Sequence, residues 1–356
     1  MSIKNIRMSN FRGLRNLACD SLGSFTLIGG RNNWGKTSFL EAVEALSAGA
    51  FGSIAFRLNR FRNLYSSEWG DIASVFSDCD ETGVVEIVGE LSGNISRKVT
   101  LRIVPRDLSV YTESEREDTR LGRQLLVAAI DTSDGREQSY ESSFYWETKR
   151  ATTGRLPQDA WVASKENRDA VKFVYLSAVM EMEDLTQSLE NMIDAKSQDQ
   201  IVEILRRVDP RVRNLVVNNG MIKADVQGVS TLLPIQLLGG GMGKIMAILL
   251  AIGRCADGGC VCVDEIDAGL HYSAYLTMML AAVDFARRRN VQIFATTHNR
   301  EFLQRLAEDE EISASLSGSG AFTYLNIVRY DDGAVEALNY DFGQFCEAVG
   351  LGVEIR

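Results

Sequence analysis

Two glycine-rich stretches of this chain each contain a Gly-Lys pair, a residue combination that can hold phosphate groups. The first stretch, IGGRNNWGKTS at residues 28–38, fits the pattern G-x-x-x-x-G-K-[ST] at every fixed position. In this pattern the backbone N–H groups of the loop point at phosphate oxygens, and the start of the next helix adds positive potential. Lys36 should reach the β- and γ-phosphates, and the Thr37 hydroxyl should bind Mg²⁺. The residues predicted to form this cradle are Gly30, Asn32, Asn33, Gly35, Lys36, Thr37 and Ser38.

The second stretch, LLGGGMGKIMAILLAI at residues 237–252, does not fit the same pattern. Leu238 stands where the first glycine is required, and Ile245, which follows Lys244, has no hydroxyl for a metal ion. We therefore expect the second stretch to have a different role from the first.

A pair of acids follows a short apolar run in CVCVDE, residues 260–265. A carboxylate at the end of a buried strand, here Asp264, can hold Mg²⁺. Glu265 can then polarise the attacking water as a general base. Acids are common at strand ends, so this Walker B pattern indicates a nucleotide site only in combination with the phosphate loop. Later, VQIFATTHN places His298 at another strand end, where a histidine can stabilise the γ-phosphate region or be merely structural.

The elements that position these residues are predicted from hydrophobic spacing. SFTLIG before the loop is expected to be a strand, and SFLEAVEALSAG after it a helix with Phe39, Leu40, Val43 and Leu46 on one face. VVEIVGEL and RKVTLRIV are predicted to be antiparallel strands, and LVVNNGMIKADV a hairpin with an Asn-Gly turn. Residues 183–208 are predicted to be helical, and a buried helix should begin at about Met242. Residues 106–170 are polar and irregular, with short strands such as QLLVAAI and SSFYW.

Composition narrows the class of protein. The chain has 356 residues, 45% hydrophobic and 24% charged, and a formal charge of −10, which argues against wrapping nucleic acid over a broad surface. No stretch approaches the roughly 20 apolar residues that span a bilayer, and the N-terminus lacks an apolar signal region. The six cysteines include no Cys-x-x-Cys motif, which suits a reducing cytoplasm. The two histidines are too few to favour a His-based metal site.

The order of motifs resembles the ABC-type ATPase head shared by SMC proteins, RecF and the OLD family. Leu238-Gly239-Gly240-Gly241 stands where these heads have a Leu-Ser-Gly-Gly signature, with Gly239 in place of the usual serine. IRMSNFRGLRNL resembles their N-terminal strand and turn, which implies that Arg12 lies near the nucleotide. Asp267 falls in the segment that corresponds to the D-loop, and His298 matches the switch histidine.

The resemblance implies an α/β fold, a two-lobed ABC-type P-loop ATPase head. Its core would be a mixed sheet, with antiparallel strands in the N-terminal lobe, a helical middle region and no long coiled coil. We expect one head over residues 1–356, divided into an N-terminal lobe (1–105), a variable insertion (106–235) and a signature and Walker B lobe (236–356). ATP and Mg²⁺ would bind at composite sites, with Gly239, Gly240 and Gly241 closing on a nucleotide held by another subunit. The chain would therefore form a homo-oligomer, a dimer at least or a larger ring.

Two functions remain open at this stage. Stand-alone heads of this class resemble ATPases encoded beside a separate effector, often a toprim-type nuclease, in anti-phage defence that responds to a phage trigger. A RecF-like ATPase of DNA repair is the alternative, and a module that uses ATP without hydrolysis is disfavoured by Glu265 and His298. The arginines that could contact DNA form three clusters: Arg57, Arg60 and Arg62; Arg206, Arg207, Arg211 and Arg213; and Arg287, Arg288 and Arg289.

Overall fold

The structure is a computed structural model that describes residues 2–64, 69–107, 109, 122–145, 161–162, 171–176, 183–255 and 258–352. Within these ranges the strands form three sheets, with the orders β2-β1-β4-β5-β6-β7-β8, β10-β11-β12 and β16-β15-β3-β14-β13-β9. The strands are β1 Ile3–Phe11, β2 Leu14–Cys19, β3 Phe25–Gly29, β4 Val85–Leu91, β5 Ile95–Pro105, β6 Arg123–Ser133, β7 Arg136–Tyr145, β8 Trp161–Val162, β9 Phe173–Leu176, β10 Val212–Asn218, β11 Met221–Val226, β12 Leu233–Pro234, β13 Cys260–Val263, β14 Gln292–Thr296, β15 Phe322–Arg329 and β16 Val335–Tyr340.

The helices cover both faces of the six-stranded sheet. They are α1 Lys36–Ala48, α2 Ile54–Arg60, α3 Trp69–Ala73, α4 Glu183–Asp194, α5 Asp199–Val208, α6 Gly240–Arg254, α7 Tyr275–Arg288, α8 Arg300–Glu308, α9 Glu310–Leu316 and α10 Phe342–Gly350. Short 3₁₀ turns span Ser77–Cys79, Ile235–Leu238 and Tyr272–Ala274. Among the described helices, none is long and apolar enough to cross a membrane.

The six-stranded sheet is the centre of the molecule. Strands β15, β3, β14, β13 and β9 are mutually parallel, and β16 is added antiparallel at one edge. Successive side chains of a strand face opposite sides of a sheet, so Cys260 and Cys262 lie in one hydrophobic core and Val261 and Val263 in the other. Strands buried on both faces explain the continuous apolar sequence of this region.

The seven-stranded antiparallel sheet lies against the other side of α1. Arg97 of β5 is fully buried, forms two hydrogen bonds of 2.7 Å with the Asp131 carboxylate of β6, and donates to the Leu46 carbonyl near the end of α1 at 3.3 Å. Bidentate pairs of this kind fix geometry as well as charge. The antiparallel sheet is thereby attached to the helix that follows the phosphate loop.

This arrangement confirms the predicted α/β class, with a mixed sheet core and antiparallel strands in the N-terminal part. The predicted hairpin at 215–226 is also confirmed, and its Asn219 and Gly220 both have positive φ, as a two-residue turn of type I′ requires. Helix α6 begins at Gly240, two residues before the predicted start at Met242.

The helix predicted over 183–208 is in fact two helices. Lys196 adopts a left-handed φ of 52° between α4 and α5, which ends the first helix. The antiparallel sheet also continues beyond residue 105, because β6 pairs with β5, and β7 pairs with β6 to form a long hairpin where short strands were expected. Trp146, in the predicted strand SSFYW, lies outside the described residues, as do 110–121, 147–160 and 163–170.

Helix α1 is less amphipathic than the sequence pattern predicted. Its expected apolar face is buried, but so is the whole of 38–47, including Glu41 and Glu44. The physical reason is that α1 lies between two sheets, so neither side of the helix reaches solvent. Arginines lie against its two glutamates: Arg12 and Arg62 contact Glu41, and Arg57 contacts Glu44.

Candidate nucleotide-binding site

The phosphate loop connects the end of β3 with the start of α1, as predicted. Gly30 and Gly35 have φ values of 131° and 107°, where glycine is favoured. A Cβ at Gly30 would lie 2.6 Å from the Ile327 carbonyl oxygen, and one at Gly35 would lie 2.5 Å from Leu14 Cδ2. The two fixed glycines of the motif are therefore required by backbone conformation and by close packing on both sides of the loop.

Lys36 lies at the first position of α1. Its Nζ donates hydrogen bonds to the carbonyls of Gly30 at 2.7 Å and Arg31 at 3.1 Å, which holds the ammonium over the loop. Burial lowers the pKa of Lys36, and the carboxylates of Asp264 and Glu265 oppose this shift. The side chain is thus placed inside the curve of the loop, where a phosphate oxygen would meet it.

Asp264 at the end of β13 is the centre of a hydrogen-bond network. Its Oδ2 accepts from the Thr37 hydroxyl at 3.2 Å and from the Tyr175 hydroxyl at 3.1 Å, and its Oδ1 accepts from the Thr296 hydroxyl at 2.5 Å. Burial, followed by the charge of Asp264, raises the pKa of Tyr175, so this hydroxyl stays a proton donor. Thr37 and Asp264, the two predicted Mg²⁺ ligands, are therefore neighbours although they belong to distant parts of the chain.

These groups fit a magnesium ion. Mg²⁺ prefers hard oxygen donors and is usually held by one or two carboxylates together with water and substrate phosphates. A hydroxyl and a carboxylate supply such donors here, next to the phosphate loop. Within the described residues no group of three or more His, Cys, Asp or Glu side chains could hold a metal. The candidate site therefore suits an ion that a nucleotide helps to bind.

Glu265 and His298 are neighbours at the ends of β13 and β14. Glu265 Oε1 lies 3.5 Å from His298 Nδ1, and the two side chains are 42% and 49% exposed. Glu265 has a left-handed φ of 48°, and its N–H donates to the Thr296 hydroxyl at 2.8 Å. Because Thr296 also donates to Asp264, it connects the backbone of Glu265 with the carboxylate of Asp264. A carboxylate at this position, partly open to solvent, can accept a proton from water.

A cavity of about 840 Å³ opens over the phosphate loop, which is large enough for a nucleotide. Nine of the predicted residues line it: Arg12, Asn32, Asn33, Gly35, Lys36, Thr37, Ser38, Asp264 and Glu265. Residues that the sequence did not point to also line it, among them Gly13, Arg62 and Arg329. The remaining predicted residues, all in the described part of the chain, lie outside its lining: Gly30, Gly239, Gly240, Gly241, Asp267 and His298.

Arg12 lies at the cavity but is engaged with protein groups. Its guanidinium donates to both carboxylate oxygens of Glu41, to Asn59 Oδ1 at 2.9 Å and to the Ser74 hydroxyl at 2.8 Å. Arg62 donates to the same Glu41 and to the Ser38 hydroxyl at 3.0 Å. Glu41 thus aligns two arginines at the wall of the cavity, and direct contact of Arg12 with a nucleotide stays a prediction.

Asp267 lies in the turn after Glu265. It is buried, and its Oδ1 accepts a hydrogen bond of 2.7 Å from the Thr297 hydroxyl. This contact fixes the turn to the segment that carries His298. Contact of Asp267 with a nucleotide also stays a prediction.

The second Gly-Lys pair has a role of its own in the structure. Gly239 is exposed with a φ of 97°, and the helix α6 starts directly after it. Lys244 on that helix is buried, and its Nζ donates to the backbone carbonyl of Asp264 at 3.3 Å. Burial lowers the pKa of Lys244, opposed first by Asp264. Lys244 therefore connects the glycine signature to the turn that carries the two acids.

Four residues of the network were missed by sequence reasoning: Arg62, Tyr175, Lys244 and Thr296. Thr296 precedes His298 by two positions, so the motif around the histidine contained a signal for it. Tyr175 is the next-to-last residue of β9, which lies beside β13 in the parallel sheet, and parallel strands bring their carboxyl ends to one edge. The sequence offered no comparable signal for Arg62.

Most arginines of the three basic clusters contact neighbouring protein groups. The pairs are Arg57 with Glu44, Arg62 with Glu41, Arg206 with the carbonyl of Val212, Arg207 with Glu203, Arg211 with Asp209, Arg287 with the carbonyl of Ser315, Arg288 with Asp284 and Arg289 with Gln200. Five of the ten arginines in these clusters pair with carboxylates, which makes them less effective as a surface for phosphate backbones.

Comparisons with known proteins find similar sequences over most of this chain. A family model described as "AAA domain, putative AbiEii toxin, Type IV TA system" matches residues 25–304, which include both motifs and His298. A Helicobacter pylori protein named ATP/GTP phosphatase is 24% identical over 332 residues, which cover 85% of this chain and 87% of that protein. The Methanocaldococcus jannaschii protein MJECL10 is 37% identical over 70 residues, 19% of this chain and 32% of its own length.

Solved structures that match this chain include heads of SMC proteins. The SMC head domain from Thermotoga maritima has a TM-score of 0.46 and 12% sequence identity, with 96% of this chain and all of that chain covered. The Smc head with an extended coiled coil from Pyrococcus furiosus, bound to the C-terminal domain of ScpA, has a TM-score of 0.49 and 12% identity, with 99% of each chain covered.

Proposed function

Because this chain belongs to the AAA-domain family described as "putative AbiEii toxin, Type IV TA system", we propose that it is an ATPase whose nucleotide cycle switches a partner protein in bacterial anti-phage defence. The enzymatic part of the proposal, hydrolysis of ATP, has the firmest support. The observation that carries it is the contact between Thr37 and Asp264 at the phosphate loop, with Glu265 as the next residue.

Each residue of the site has a defined task in hydrolysis. The backbone of the loop and Lys36 bind and orient the phosphates, and Thr37 with Asp264 would hold Mg²⁺. The metal, when bound, supplies positive charge that offsets the charge developing on the phosphate oxygens. Glu265 accepts the proton of the attacking water, and His298, 3.5 Å from it, donates a hydrogen bond toward the γ-phosphate.

The complete site would be shared between two copies of this chain. Gly239 is exposed. It is not among the described residues that line the cavity of its own subunit. Leu237, two residues earlier, is 71% exposed. A second subunit that presents its signature to the nucleotide would cover both residues. This supports a homo-oligomer that closes around ATP.

The partner proposed for this ATPase is a separately encoded effector, a toprim-type nuclease. The support is the resemblance to stand-alone heads of the OLD and RecF class, including the ATPase of the PARIS anti-phage system, and the family description, which names a putative AbiEii toxin and a Type IV TA system. In this proposal ATP selects the conformation that restrains the effector, and a phage trigger releases it. Slow hydrolysis is sufficient for such a switch.

A RecF-like role in DNA repair is the second candidate, favoured by the three arginine clusters. The intramolecular pairs of these arginines and the formal charge of −10 weigh against it. DNA-stimulated ATPase activity with a steep salt dependence would be its signature.

The experiment that separates the candidates is a pull-down of tagged Glu265→Gln protein from its native host in the presence of ATP, followed by mass spectrometry. Recovery of one stoichiometric nuclease-like protein encoded beside this chain supports the defence proposal. Recovery of DNA with replication or repair proteins supports the RecF-like role. The Lys36→Ala variant is the matched control, because a nucleotide-dependent complex should be lost from it.

A further inference from the structure

Arg329 is the last residue of β15, and its side chain lines the nucleotide cavity. Strand β15 is parallel to β3, and Asn326 pairs with Gly29, so Arg329 extends three residues beyond the end of β3. In parallel sheets, ligands bind outside the carboxyl ends of the strands. Arg329 thus occupies a ligand-binding position that neither sequence motif contains.

The order of strands places Arg329 on a defined side of the phosphate loop. In the order β15-β3-β14-β13, Arg329 lies on one side of β3, and Asp264, at the end of β13, lies on the other. The Mg²⁺ and γ-phosphate end of a nucleotide belongs with Thr37 and Asp264. A nucleotide that extends across the loop from that end therefore brings its nucleoside end, with the α-phosphate, toward Arg329.

The guanidinium of Arg329 has unused donor capacity. Its Nη2 donates to the Gly13 carbonyl at 2.9 Å, and a Cβ at Gly13 would lie only 3.2 Å from the same atom, so the glycine makes room for it. The Nε is buried and has no hydrogen-bond partner among the described residues. A buried donor without a partner costs free energy unless a ligand satisfies it.

Arg329 differs from the other arginines of the cavity in its lack of a nearby carboxylate among the described residues. Arg12 and Arg62 both form ion pairs with Glu41. Among the described residues no carboxylate lies within 4.0 Å of Arg329. The positive charge of Arg329 is therefore less neutralised by carboxylates than the charges of Arg12 and Arg62, which favours an anionic ligand.

We propose that Arg329 binds the α-phosphate of the nucleotide, a contact supplied by the C-terminal hairpin β15–β16. The proposal rests on the function proposed above, because it assumes that the cavity binds ATP. Guanidinium groups bind phosphate oxygens through paired, charge-assisted hydrogen bonds. Since ATP and ADP share the α-phosphate, the contact should strengthen both complexes equally.

The test is calorimetric titration of wild-type, Arg329→Gln and Arg329→Lys proteins with ATP and with ADP, each with Mg²⁺. We expect Arg329→Gln to weaken binding of both nucleotides by about 10- to 100-fold. Arg329→Lys, which keeps the charge but loses the planar fork, should lie between it and the wild type. Arg7→Gln is the control, because Arg7 is exposed, pairs with Asp20 and does not line the nucleotide cavity within the described structure.

The outcomes separate this inference from the proposed function. If the wild-type protein binds neither nucleotide, the proposed function fails. If the wild type binds both nucleotides and Arg329→Gln binds them with unchanged affinity, the Arg329 proposal is overturned. A loss of affinity for ATP with unchanged affinity for ADP would also overturn it, because it would place Arg329 at the γ-phosphate. A melting temperature lowered equally by Arg329→Gln and Arg329→Lys, without a change in either affinity, would show that the contact with Gly13 is merely structural.

Discussion

The hydroxyl of Thr37 donates a hydrogen bond of 3.2 Å to the carboxylate of Asp264, although 227 positions separate them in the chain. Thr37 is the second residue of α1, which follows β3 and the phosphate loop. Asp264 directly follows β13, which lies two strands from β3 in the parallel sheet. The fold therefore builds a pair of hard oxygen ligands at the position where the phosphates of a nucleotide would lie.

Removal of the Thr37 hydroxyl should impair the use of Mg²⁺. In Thr37→Ala both the metal ligand and the hydrogen bond to Asp264 are lost, so the Mg²⁺ concentration for half-maximal ATP turnover should rise by about 10- to 100-fold. Thr37→Ser is the matched control and should stay near the wild type, because it retains the hydroxyl. Equal behaviour of the alanine and serine variants in a Mg²⁺ titration would remove Thr37 from the metal site.

Loss of the Lys36 ammonium should abolish nucleotide binding. Lys36→Ala deletes the cation that the loop carbonyls hold over the phosphate position, and the affinity for ATP should fall by about 100-fold or more. The comparison is Lys98→Ala, an exposed lysine of β5 that pairs with Glu86. Normal ATP affinity of Lys36→Ala in an equilibrium titration would argue that the loop is not a phosphate cradle.

Glu44 should make the stability of the protein depend on pH. Burial raises the pKa of Glu44 to about 8 from an ordinary value of 4.5, with Arg57 opposing the shift. Between these values the folded chain keeps a proton that the unfolded chain releases, so the free energy of unfolding should fall as the pH rises from about 5 to about 8. Glu44→Gln should remove part of this slope in denaturation curves recorded at several pH values.

The exposed Glu90 provides the control for this measurement, since Glu90→Gln should leave the pH slope unchanged. An identical slope in wild-type and Glu44→Gln proteins would mean that Glu44 stays ionised in the folded state, balanced by Arg57.

The closed oligomer should accumulate when hydrolysis is blocked. Glu265→Gln with Mg²⁺ and ATP should have a mass in light scattering of at least twice the 39.4 kDa of one chain. Without nucleotide, or with the added change Lys36→Ala, the mass should decrease, because nucleotide would no longer join the two subunits. A mass that is independent of ATP in all variants would contradict the composite site.

The phosphate loop and the acidic pair could be predicted from the sequence because their spacing is local. Gly30, Gly35 and Lys36 lie within one short loop. The glycines are required by its backbone conformation and the lysine by phosphate binding, and a short motif contains all three. Asp264 and Glu265 could be predicted because a buried strand leaves a clear apolar run before them. The hairpin at Asn219 and Gly220 followed from turn chemistry in the same way.

Residues brought together by sheet order were beyond such reasoning. Tyr175 and Arg329 reach the site because β9 and β15 lie beside particular strands, and strand order is not encoded in a local pattern. The burial of Glu41 and Glu44 depends on a second sheet covering α1, which the helical spacing of apolar residues did not express. The break at Lys196 is a single left-handed residue within a pattern that is otherwise helical.

The most direct test of the central claim is the rate of Mg²⁺-dependent phosphate release from ATP by wild-type and Glu265→Gln proteins, measured together with their affinities for ATP. We predict that the wild type hydrolyses ATP. Glu265→Gln should bind ATP with similar affinity but hydrolyse it at least about 100-fold more slowly, because the general base is lost. Wild-type turnover in the Glu265→Gln variant, or no hydrolysis by the wild type, would contradict the account.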